Sequence, residues 1–202
     1  LNSDVIRQLA SGLIDFWKAS RFRGTYKVDH HQIVLDLLDA SGRTAVYTKR
    51  QRVTFLHDNV FAIQDQAWGD GNIFAAYRCS PGVAVDRYKE GYRWKILISL
   101  RGTRNKGDTE DFTFERTIRD GFYKPIGNLQ TQVDHPTQEL TMSIIFPAAR
   151  FPKRVTLIEQ NAKRTHILGS ENIARLPQDR IQYYWHVVKP HLYESYILRW
   201  EW

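Results

Sequence analysis

The chain has 202 residues, 42% of them hydrophobic and 13% aromatic, with a formal net charge of +7. That is enough apolar material for a real core, and the interspersed basic and acidic residues form no cationic run that would by itself mark a nucleic-acid binder. One cysteine, Cys79, excludes an intrachain disulfide, and no apolar run approaches the roughly 18 residues of a membrane span.

In chain order, residues 2–19 predict the one helix. Asn2 or Ser3 can cap it, Asp4 sits in its first turn, and Val5, Leu9, Leu13, Phe16 and Trp17 recur at helical spacing. This stripe is expected to pack on a sheet of the same domain, with a docking surface as the alternative.

Strands follow from there, because apolar residues then alternate with polar ones. Residues 25–38 form a long strand, with a bulge expected at Asp29–His31. Residues 43–56 alternate through Ala45, Tyr47, Lys49, Gln51, Val53 and Phe55. Shorter strands are read at 60–66 and 73–79, with 83–90 as a connector. Tyr92–Leu100 and Phe112–Ile118 read as a central hairpin, turning at the Asn105–Gly107 segment. On the second of these strands, Phe112, Phe114, Arg116 and Ile118 share one face. Residues 129–133 and 139–146 are expected to pair, as are 154–160 with 164–168, and 181–189 with 194–202. On the last strand, Tyr196, Leu198, Trp200 and Trp202 share a face, which is expected to be core rather than a stacking platform.

About twelve strands separated by frequent turn signals predict an all-β antiparallel sandwich with one N-terminal helix. The expected organisation is a helix over 1–20 and β subdomains over 21–120 and 121–202, or one continuous sandwich.

No catalytic motif is present. There is no GxSxG elbow, no P-loop and no zinc-spaced His or Cys set, so no catalytic residue, metal or cofactor is assigned. Cys79 reads as a small buried hydrophobe, and Asp65, Asp70 and Asn72 as parts of ordinary structure around a turn. The candidate ligand-binding set is basic: Arg50 and Arg52 on one strand, with Arg101, Arg104 and Lys106 at the hairpin tip. These could meet a phosphate if the two elements lie side by side.

The expected function is a non-catalytic regulatory, sensing or protein-interaction domain. The missing initiator Met suggests a piece cut from a larger cytoplasmic protein, which makes a protein or another domain of the same chain the expected partner. The alternatives are a nucleotide or nucleic-acid binder and a hydrolase of unrecognised type. No membrane association is expected.

Overall fold

In the computed structural model, which describes residues 24–202, alternation carries through into burial. The predicted helix over residues 2–19 lies outside the described residues. The strands are β1 (Tyr26–Leu37), β2 (Thr44–Phe55), β3 (Val60–Ala67), β4 (Asn72–Ser80), β5 (Val83–Glu90), β6 (Arg93–Arg104) and β7 (Thr109–Arg119). They continue as β8 (Ile126–Gln132), β9 (Thr137–Phe146), β10 (Arg154–Glu159), β11 (Arg164–Ile167), β12 (Ile173–Leu176), β13 (Arg180–Val188) and β14 (Ser195–Glu201). A 3-10 turn, Ser170–Asn172, precedes β12.

Three sheets result. The largest has seven strands in the order β12-β13-β9-β1-β2-β7-β4, the second has the order β11-β10-β14-β8, and the third β3-β6-β5. Strands β1 and β9 run parallel, and the other pairings are antiparallel. The all-β, sandwich-like reading therefore stands, with a mixed large sheet in place of a purely antiparallel one. The large sheet draws strands from both sides of residue 120.

Inward side chains from all three sheets join one apolar cluster. Aromatic contacts lock the smaller sheets onto the large one. Phe146 on β9 meets Trp200 on β14 at 5.8 Å, Trp185 on β13 meets Tyr196 on β14 at 5.0 Å, and Phe74 on β4 meets Trp94 on β6 at 5.8 Å. The aromatic face of the closing strand is core, with Tyr196, Leu198 and Trp200 fully enclosed.

Three expected pairings are corrected. β6 pairs with β3 and β5 while β7 pairs with β2 and β4, so the central hairpin is two strands in different sheets. β8 joins β14, not β9, and β13 joins β9, not β14. In each case consecutive strands bury their apolar faces from opposite sides of one core, so the turn crosses between layers. Alternation marks the buried face of a strand and is silent on its neighbour. Residues 83–90 are the strand β5, hidden from pattern reading because neither face is strongly buried. The expected bulge is present as a register shift between Val28 and His30.

Gly127 on β8 sits directly under an indole. A Cβ there would stand 2.1 Å from Cζ2 of Trp200. Trp200 is fully buried and edge-packed on Phe146, so it has little room to retreat. Gly127→Ala is expected to cost about 1–3 kcal/mol through overpacking. Thermal melts should show a drop of several degrees; an unchanged midpoint would mean that the indole moves aside freely.

Candidate functional site

The inner face of the large sheet is not wholly apolar. On β7 the buried face runs Phe112, Phe114, Arg116, Ile118, placing a guanidinium among hydrophobes. On β2 the matching face runs Ala45, Tyr47, Lys49, Gln51, Val53. Register aligns these positions: Tyr47 lies opposite Arg116, Gln51 opposite His31 of β1, and Tyr77 of β4 opposite Arg116 on its other side. A diagonal of polar side chains thus crosses the sheet from His31 to Arg116.

Above this diagonal lies a cavity of about 270 Å³. Its floor is the polar diagonal of the large sheet. One wall is β3 with the Trp68–Asp70 turn, and the other is β8 with its flanking residues. β3 and β8 are the edge strands of the two smaller sheets. Side chains span the interval between them. Arg93 donates to the side-chain amide oxygens of Gln66, at 3.3 Å, and Gln132, and Gln66 Nε2 donates to Asp134 at 3.1 Å. Lys124 and Asp70 form an ion pair at 2.6 Å. The Arg93 guanidinium also lies 4.8 Å from the Trp68 ring centroid.

One carboxylate reaches the polar floor from above. Asp65 of β3 is 2% exposed and accepts from Lys49 Nζ and, at 3.1 Å, from the Tyr77 hydroxyl. Lys49 also lies 4.4 Å from the Phe114 ring centroid. Burial, with Asp65 beside it, pushes the Tyr77 phenol far up. Burial likewise raises the Tyr47 phenol to about 12, against the opposing pull of Arg116.

Arg116 is the group without a matching charge. It is 5% exposed and forms no ion pair with any described residue. Its guanidinium lies 4.1 Å from the Tyr47 ring centroid, and Nε and Nη1 have no hydrogen-bond partner. An unmet buried donor costs about 1–3 kcal/mol, and more when charged. His31 adds a second unmet group: it is 7% exposed and its Nε2 has no partner. Burial, reinforced by Lys49 and His135, pushes the His31 imidazole down to about 3, which keeps it neutral. The floor therefore offers donors and an unbalanced positive charge to whatever enters. Among the described residues no three His, Cys, Asp or Glu side chains converge as metal ligands.

The predicted basic set lies elsewhere. Arg50 and Arg52 project from the outer face of β2 and are exposed. Arg52 makes a two-point contact with Asp111, both distances 2.9 Å, and Arg50 reaches Gln32 at 3.3 Å. The 105–108 tip does lie beside the end of β2, through hydrogen bonds of Gly107 and Asp108 with Phe55. Arg104 is held by Glu110, at 2.7 Å and 2.9 Å, and the Lys106 backbone N–H donates to Asp58. Arg101 is exposed and adopts a left-handed backbone, φ 57°. The two arginines best placed for an anion are thus already paired with carboxylates. Lys49 and His31 stand outside the predicted binding set and Arg116 was not singled out, although a signal was there: a charged or imidazole side chain on the apolar face of a strand.

No family model matches this sequence, and no curated protein does. Solved structures match by shape. The M1 zinc metallopeptidase of Deinococcus radiodurans, in a mutant bound to a Tyr-Ser-Ala substrate, superposes with TM-score 0.51 at 9% identity. The match covers 86% of this chain and 42% of that one. Aminopeptidase A of Legionella pneumophila, in complex with aspartic acid, gives TM-score 0.47 at 14% identity, over 86% of this chain and 21% of that one. The chain therefore spans less than half the length of these structures, and the likeness concerns the fold. The Deinococcus likeness corrects the expected function: the chain that superposes is part of a metallopeptidase, and nothing in that likeness marks a regulatory or sensing module.

Proposed function

We propose that this chain is a non-catalytic binding domain of a longer protein, and that its cavity encloses a small ligand through an anionic group set against Arg116. The single observation that carries this reading is the buried guanidinium with two unmet donors. Proteins seldom bury an unpaired charge without a use for it, because desolvation costs several kcal/mol. A ligand anion would recover that cost by a charge-assisted hydrogen bond. Lys49 is neutralised by Asp65, which leaves Arg116 as the unbalanced charge, and neutral His31 adds a further hydrogen-bonding atom. The match to 42% of a metallopeptidase chain supports a domain within a larger assembly.

Titration with acetate, inorganic phosphate and sulfate at low salt tests the reading. At least one anion should bind saturably to the natural protein and at least ten-fold more weakly to Arg116→Met. The same variant should fold with equal or higher stability, since replacing a buried charge by an apolar chain of similar length is often neutral or better. Equal anion binding by both proteins, or none by the natural one, overturns the reading.

A further inference from the structure

The walls of the cavity say more about the ligand than its floor. β8 contributes every residue from Ile126 to Gln132 to the lining, although their side chains alternate between two faces. A surface that meets successive residues regardless of side-chain direction follows the edge of a strand. Among the described residues β8 pairs only with β14, and β3 only with β6, so each presents an unpaired edge. Contacts near both ends of the interval show that the two edges run past each other in opposite senses. Gln66 meets Asp134, and four residues later Asp70 meets Lys124, ten residues earlier.

The direction of the backbone groups on β8 follows from its two ends. Trp202 donates to the Pro125 carbonyl at 3.0 Å, and Val133 donates to the Glu194 carbonyl at 3.0 Å. The two-residue period of a strand then turns Gly127, Leu129 and Thr131 toward β14 as well. Asn128, Gln130 and Gln132 turn their N–H and C=O groups the other way, along the cavity wall. An unpaired edge of this kind takes an added strand, with main-chain hydrogen bonds supplying affinity.

We propose that the ligand is a short extended peptide lying along the free edge of β8, with its terminal carboxylate on Arg116. This deepens the proposed function and rests on it for the anion site. The carboxylate answers the unbalanced cation on the floor, and the peptide amides answer the edge of the wall. At about 270 Å³ the cavity is near the small end of the roughly 300–1,000 Å³ typical of ligand sites, which limits the occupant to a few residues. The bridges from Arg93 to Gln66 and Gln132 span the same interval and part when the strand enters.

Calorimetric titration of the full chain with four probes tests this: trialanine, its C-terminal amide, trialanine N-methylated at the central peptide bond, and acetate. Trialanine should bind at least ten-fold more tightly than acetate. The amide and the N-methyl peptide should each lose ten-fold or more, and Arg116→Met should bind trialanine and its amide equally. Acetate binding as tightly as trialanine overturns the peptide and leaves the anion site standing. Trialanine unaffected by N-methylation overturns the edge contact. Failure of both acetate and trialanine to bind overturns the two proposals together.

Discussion

Asp65→Asn is expected to destabilise the protein by about 3–5 kcal/mol, the range for breaking a buried ion pair by removing one partner. The carboxylate is 2% exposed and takes hydrogen bonds from Lys49 and Tyr77. An amide keeps the shape and deletes the charge, so Lys49 is left in the interior with no counter-ion. Its side chain is only 13% exposed and the Phe114 ring lies against it, so it cannot easily turn to water. For a domain of this size each kcal/mol moves the melting midpoint by about 2–4 °C, so the loss should be plain in a thermal scan. The double variant Asp65→Asn with Lys49→Met should recover much of it, because the stranded charge is then gone. A double variant no more stable than the single one would show that the pair matters through packing and not through charge.

Acid should expose His31. Its imidazole is held near 3 in the folded chain by burial first, then by Lys49 and His135, whereas an unfolded histidine titrates near 6.5. Between those values the unfolded state binds a proton that the folded state refuses, so stability rises with pH there. The contribution is therefore intact above about pH 6.5 and falls as pH drops toward 3, by about 1.4 kcal/mol per unit. The full window amounts to about 4–5 kcal/mol on that slope. Urea unfolding at pH 7, 6, 5 and 4 should give a steeper loss for the natural protein than for His31→Gln. Asp65, Asp134 and the other carboxylates are common to both proteins, so the difference isolates the imidazole. Identical pH slopes would mean that His31 titrates as it does in water.

These two residues and Arg116 show what was legible in the sequence and what was not. Strand periodicity placed β1, β2 and β14 within one residue at each end and β7 within three, and it put Arg116 on the same face as Phe112, Phe114 and Ile118. The oddity of that arginine could be read directly, yet a cation beside aromatic rings reads equally well as a surface position until burial is known. Arg50 with Arg52, and Arg101 with Arg104 and Lys106, drew attention because each group is close in sequence. The carboxylate partners of Arg52 and Arg104, Asp111 and Glu110, lie 59 and 6 residues away respectively, and only strand pairing brings Asp111 opposite Arg52.

The chain alone determined that the protein is β-rich, which face of its long core strands is buried, and that aromatic side chains fill its centre. Those properties follow from a local rule, since a pleated strand sends successive side chains to opposite sides. The tertiary structure decided which strands are neighbours, that three sheets form in place of a simple pair, and that the edges of β3 and β8 leave a polar cavity over Arg116. Pairing is set by which apolar faces complete one another across the core. That is a property of the whole packed chain, and no stretch of it carries the answer by itself.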